Sequence, residues 1–271
     1  MKIRILAAVA LLPLLLVVVL VLPKICTAIL LGIMAAIAAY ELLVGTGYVK
    51  FGPLVVQACI AAVAVSMLSY WGLPYGWTLL LVLLYAAGLF LQTLISHAKL
   101  SFEKVSVSLA AGLLVPYLLT ALVRLHTAEA GRFYVLIPFV LAFMSDTGAY
   151  FVGIAFGKHK LAPIISPKKT VEGLFGGVAG AMLGMVLFCF VLKKWFSFDV
   201  NYAYALVYGF AGSFAAVLGD LGFSVIKRQT GIKDYSHLIP GHGGILDRFD
   251  SMTMVAPLVE ALMIVLPVVV R

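Results

Sequence analysis

The chain has 271 residues, 64% of them hydrophobic, with a mean hydropathy of +1.15 and a formal net charge of +8. Charged residues make up 11%, against about 25% in ordinary soluble proteins. These values exclude a soluble globular domain. No separate basic domain exists to hold nucleic acid, so the positive balance belongs to cytoplasmic loops and anionic lipid headgroups.

A spanning helix needs roughly 20 apolar residues. On that measure the sequence predicts an all-α, polytopic integral membrane protein with about nine spans: 5–22, 26–45, 52–70, 77–96, 105–124, 133–156, 174–192, 203–225 and 251–270. Met1-Lys2-Ile3-Arg4 before an apolar run has the look of a signal peptide. The run to Pro23 is too long for the usual h-region and no small-x-small site follows it, so it reads as a retained helix. Cys26, Cys59 and Cys189 lie in apolar stretches without a CxxC pair and read as packing residues.

Residues 1–125 carry few polar groups and read as a scaffold, for lipid access or oligomerisation. Residues 126–271 read as the catalytic region, with polar loops at 157–173 and 226–250. If the N-terminus and the even-numbered loops are cytoplasmic, 13 of the 19 Lys and Arg residues lie inside. Lys24, Arg124, Arg132, Lys193, Lys194 and Arg271 lie outside. Both polar loops then face the cytoplasm, where nucleotides are found.

The seventh span aligns Gly176, Gly180 and Gly184 on one face, the pattern of close helix packing. The eighth carries Gly212, Ala216 and Asp220 on one stripe, which brings Asp220 into the protein interior. An ionisable group in a span costs about 2.5–3.5 kcal/mol even on insertion scales, so Asp146 and Asp220 are expected to serve a purpose. An intramembrane ion pair joining helices is the plain alternative. Asp247 and Asp250, spaced i and i+3, open the last span. Carboxylates at neighbouring helix ends make a hard oxygen site suited to magnesium, which keeps waters and bridges to phosphates. No zinc arrangement is present.

Between them runs Pro240-Gly241-His242-Gly243-Gly244, whose glycines allow a sharp turn and a nest of amides for an anion. His242 is expected to touch phosphate; His97, His126, His159 and His237 read as solvated loop residues. Ser166-Pro167-Lys168-Lys169-Thr170 in the other loop pairs lysines with hydroxyls, which suits phosphate oxygens. Gly153 to His159 is not a P-loop: its glycines are one residue too close and no Ser/Thr follows the lysine.

At these positions the chain resembles the phosphatidate cytidylyltransferases, or CDP-diacylglycerol synthases. The signature is matched at Ser224, Lys227, Arg228, Lys233, Asp234, Pro240, His242, Gly243, Gly244, Asp247, Arg248 and Asp250, with its spacing intact. Gly219-Asp220-Leu221, the run from Ser145 to Tyr150 and the run from Ser166 to Gly173 match further family elements. The resemblance implies CTP and phosphatidate as substrates, CDP-diacylglycerol and pyrophosphate as products, and one or more magnesium ions as cofactor. It implies Asp220 and Asp247 as principal metal ligands, with Asp250 and Asp146 assisting. Asp220, Asp247, Lys227 and Arg248 become the catalytic residues. Ser166, Lys168, Lys169, Thr170, Ser224, Arg228, Lys233, His242, Gly243 and Gly244 become the substrate-binding ones. The setting implied is a bacterial inner membrane with the site facing the cytoplasm; a homo-oligomer is left open. A CTP-dependent lipid-alcohol kinase and a secondary transporter of an organic anion are the alternatives.

Overall fold

The computed structural model describes residues 13, 15–97, 100–239 and 241–270. Half of the expected first span at 5–22, residues 5–12 and 14, lies outside the described residues, as do Lys2, Arg4, Lys99, Pro240 and Arg271. In chain order the elements are α1 (Lys24–Tyr40), α2 (Pro53–Trp71), α3 (Tyr75–Ile95), α4 (Phe102–Leu109), α5 (Val115–Leu119), α6 (Ala121–Thr127) and α7 (Ile137–Phe156). There follow β1 (Lys160–Ala162), β2 (Ser166–Thr170), α8 (Val171–Phe196), β3 (Asp199–Val200), α9 (Tyr202–Gln229), α10 (Leu246–Phe249), α11 (Met252–Val265) and β4 (Val269–Val270). Two π turns interrupt the helices, at Glu41–Gly45 and Ala110–Leu114.

Among the described residues seven helical segments are long and apolar enough to cross a membrane. Helices are the form expected there, because lipid offers no partner to a backbone N–H or C=O. The expected ninth span is shorter than its hydropathy suggests: α11 has 14 residues. Pro267 pushes the residue before it out of helical geometry, and Leu266 sits at φ −133°. The chain then pairs antiparallel with β3 through Val269 and Val270.

The chain divides into two compact units, and the division differs from the expected break at 125/126. The first comprises Met1–Arg132 with Gln229–Phe249; the second comprises Phe133–Arg228 with Asp250–Arg271. The loop at 226–250 therefore packs for the most part with helices that the sequence marked only as scaffold.

In the first unit α1 and α2 pack through small residues. Ala28, Ala35, Ala38, Ala58 and Ala62 are fully buried, and Ser66 Oγ donates to the Ala28 carbonyl at 2.7 Å. Tyr85 of α3 donates to the Ser108 carbonyl at 2.6 Å, just ahead of the second π turn. His126, expected in solvent, is buried instead, with Nδ1 3.0 Å from Thr27 Oγ1.

In the second unit the glycine stripe does what its spacing predicts. A Cβ on Gly176 would lie 2.7 Å from the Gly148 carbonyl oxygen, one on Gly180 2.5 Å from that of Met144, and one on Gly184 2.5 Å from Met144 Cγ. Helices α7 and α8 thus touch backbone to backbone. Helix α9 joins them where Gly212 meets Leu141 and Ser213 Oγ lies 2.8 Å from Ser145 Oγ. Tyr134 and Tyr208 donate to the Val269 and Leu266 carbonyls and pin the chain beyond α11.

Candidate active site

The second unit gathers Asp146, Lys169, Asp220 and Ser224. The loop expected at 157–173 contains a hairpin: β1 and β2 pair antiparallel, Lys160 opposite Thr170 and Ala162 opposite Ser166. The hairpin carries Lys169 to Asp220 of α9, where Nζ and Oδ2 form an ion pair. Ser224, one turn beyond Asp220, donates to its Oδ1 at 3.2 Å. Asp146 of α7 is exposed and feels the charges of both Lys169 and Asp220. Asp220 is therefore ion-paired with the hairpin rather than with a neighbouring helix.

Several residues of this unit spend their polar groups locally. Thr170 is buried and its Oγ1 accepts the Gly173 N–H at 3.1 Å, so it is the N-cap of α8. Glu172 accepts the backbone N–H groups of Lys158 and His159, and lies 2.6 Å from His159 Nδ1. Arg228 Nε donates to the Ile165 carbonyl at 3.3 Å and ties the hairpin to the end of α9. Lys168 is exposed, Ser166 is half-buried, and Lys227 is buried. Asp250 stands at the entry to α11, where its Oδ1 accepts the Ser251 N–H and its carbonyl accepts Thr253 Oγ1. Its backbone lies against Gly219, whose Cβ would be 2.6 Å from the Asp250 carbonyl oxygen.

In the first unit the glycine-rich turn is built round Asp247. Asp247 is buried and its Oδ2 accepts the N–H groups of Tyr235 at 2.8 Å and Gly244 at 3.0 Å. Ile239 N donates to the Gly243 carbonyl and His242 N to that of Ile239. Gly243 has φ +84°, a left-handed angle that favours glycine. Arg248 is exposed, with Nε donating to the His242 carbonyl at 2.7 Å, and Lys233 is exposed. The amides of His242, Gly244, Ile245 and Leu246 all have acceptors inside the loop or on Glu41. The expected nest of anion-binding amides is thus not what these four N–H groups form; they fold the turn.

Glu41 was passed over at the sequence level. It is 1% exposed and accepts three donors of this loop. The signal available was a carboxylate inside an apolar span, the same signal that singled out Asp146 and Asp220.

Among the described residues no three His, Cys, Asp or Glu side chains are close enough to hold a metal ion between them. Asp146 and Asp220 do offer two carboxylates within electrostatic reach of each other. That donor set fits magnesium, which takes one or two carboxylates and fills its shell with water and substrate phosphate.

Among the described residues, helices long and apolar enough to cross a bilayer carry a carboxylate, Asp220, that is ion-paired with Lys169. The chain belongs to the cytidylyltransferase family, whose model matches residues 2–266. It is 43% identical over 139 residues to a phosphatidate cytidylyltransferase of Staphylococcus epidermidis, covering 51% of this chain and 52% of that one. A phosphatidate cytidylyltransferase of Haemophilus influenzae is 44% identical over 132 residues, 49% of this chain and 46% of that one. One of Staphylococcus aureus is 43% identical over 143 residues, with 51% and 52% covered. The matched stretch spans about half the length of these relatives.

Proposed function

We propose that the chain is a phosphatidate cytidylyltransferase, converting CTP and phosphatidate to CDP-diacylglycerol and pyrophosphate. The observation that carries this reading is the Lys169–Asp220 ion pair with Asp146 and Ser224 beside it. It is a phosphate-binding cation parked on a carboxylate that a metal can take over.

A phosphate monoester has its second pKa near 6, so the lipid phosphate is already largely a nucleophile at neutral pH. One of its oxygens bonds to the α-phosphorus of CTP, and the bond from that phosphorus to the bridging oxygen of the β-phosphate breaks. The electron pair leaves with pyrophosphate, so no general base is required. The task is to hold two polyanions together. Lys168, Lys169, Lys227, Arg228, Lys233 and Arg248 supply cations to the phosphates, and Lys169 turns from Asp220 to substrate on binding. Ser166, Ser224 and His242 remain the proposed substrate contacts; Gly243 and Gly244 shape the turn, and Thr170 acts through its cap.

Asp220 and Asp146 would hold magnesium, with Asp250 assisting, its backbone packed against Gly219, the neighbour of Asp220. Asp247 is assigned to the metal on the family motif alone. The bound ion would neutralise phosphate oxygens and favour in-line displacement. The proposed setting is a bacterial plasma membrane, with the lysine-bearing loops in the cytoplasm.

The test uses purified protein with magnesium, phosphatidate and CTP labelled at the α- or γ-phosphate. Label from the α position should appear in a CDP-lipid, and Asp220→Asn should nearly abolish its formation while the protein stays folded. Transfer of γ label to lipid would refute the reading, as would normal turnover by Asp220→Asn. Chelators that remove zinc but spare magnesium should leave the rate unchanged.

A further inference from the structure

Glu41 lies in the π turn that ends the apolar segment Lys24–Gly45. A carboxylate in such a segment is expensive, and single π turns gather at functional sites. Three donors converge on its two oxygens. Ser236 Oγ and the Ile245 N–H donate to Oε1 at 2.6 and 3.0 Å, and the Leu246 N–H donates to Oε2 at 2.8 Å. These partners lie 195, 204 and 205 residues further along the chain.

Two glycines make room for this contact. A Cβ on Gly45 would stand 2.3 Å from the Tyr235 carbonyl oxygen, so that glycine lets the loop backbone reach the helix. A Cβ on Gly244 would stand 2.3 Å from Glu41 Oε1 and 2.6 Å from Oε2. Gly244 has no positive φ, unlike Gly243. The second glycine of the pair is therefore demanded by the Glu41 carboxylate rather than by its own backbone angle. The loop is held by two interleaved carboxylates. Asp247 takes the amides of Tyr235 and Gly244; Glu41 takes the Ser236 hydroxyl and the amides of Ile245 and Leu246.

We propose that Glu41 is a positioning residue for the reaction: from a helix of the N-terminal scaffold it clamps the loop from Ser236 to Leu246 and thereby sets where Asp247, His242 and Arg248 stand. The inference rests on the proposed cytidylyltransferase reading. It also gives part of residues 1–125 a share in the site.

Glu41→Gln keeps the side chain's shape but turns one oxygen into an NH2 group, which faces a backbone N–H in either orientation. One loop amide then loses its acceptor. Hydrogen–deuterium exchange of the protein without substrate should show faster exchange confined to residues 235–247. The kcat should fall about 10²-fold, the effect of a misplacement near 1 Å, with KM for phosphatidate changed less than kcat. Ser236→Ala, which removes one donor and leaves the carboxylate, should show the same pattern more weakly. Gly244→Ala should impair the wild type yet cost nothing further in a Glu41→Ala background, because the group it collides with is gone. Unchanged exchange at 235–247, exchange raised evenly through the protein, or additive Gly244 and Glu41 effects would each overturn the proposal. The exchange measurement needs no turnover, so a wild type that forms no CDP-lipid would sink the proposed reaction without touching the clamp.

Discussion

Gly219 and Gly222 lie three residues apart on α9, and replacing each by alanine should give opposite results. A Cβ at position 222 meets nothing within 4 Å. Alanine there gains about 0.8–1.0 kcal/mol of helix propensity over glycine and should leave turnover alone. A Cβ at position 219 meets the Asp250 carbonyl oxygen at 2.6 Å, Ser251 Cα at 3.0 Å and the Asp250 carbonyl carbon at 3.3 Å. All three belong to backbone, so none can swing aside as a side-chain tip would. Restoring contact near 3.5 Å means moving the start of α11 away from α9 by most of an ångström. Overpacking of this kind costs about 1–3 kcal/mol, which the propensity gain partly offsets. The net loss of stability should be no more than about 2 kcal/mol. Activity should suffer far more, because the moved backbone is that of Asp250 and the bulky residue is next to Asp220. A displacement near 1 Å costs about 10²-fold in rate. Thermal unfolding in detergent and CDP-lipid formation, measured on both variants, separate the two effects. Wild-type turnover in Gly219→Ala, or equal losses in both variants, would refute the reasoning.

Lys169→Ala leaves two neighbouring carboxylates without their ammonium. The pair is 24% and 31% exposed, between a surface and a buried ion pair, so the loss should be about 1–3 kcal/mol in denaturation at low magnesium. Added magnesium should restore more stability to this variant than to the wild type; an equal response would argue against a metal at Asp146 and Asp220. Gly148→Ala places a Cβ 2.3 Å from the Gly176 carbonyl oxygen and 3.2 Å from Gly180 Cα. It should lower the melting temperature through a cost of about 1–3 kcal/mol, and an unchanged melting curve would show that α7 and α8 can part without loss.

Hydropathy alone determined that this chain is built of membrane-crossing helices, since continuous apolar runs near 20 residues fit a helix, which satisfies its backbone hydrogen bonds within the segment. Local spacing also determined the glycine face of α8, and the one-turn link between Asp220 and Ser224 lies within a single helix. The family signature, read as linear text, marked the loop from Ser224 to Asp250. Partner choice across long separations was decided only in three dimensions. That Lys169 meets Asp220, that amides of the glycine turn are spent on Glu41, and that 229–249 groups with the N-terminal helices were not legible in the sequence. The reason is physical. Against lipid every apolar helix face looks alike, so which faces meet is settled by close packing of small residues and by the few polar groups that need partners. Those partners can lie more than 200 residues away, as Leu246 does from Glu41.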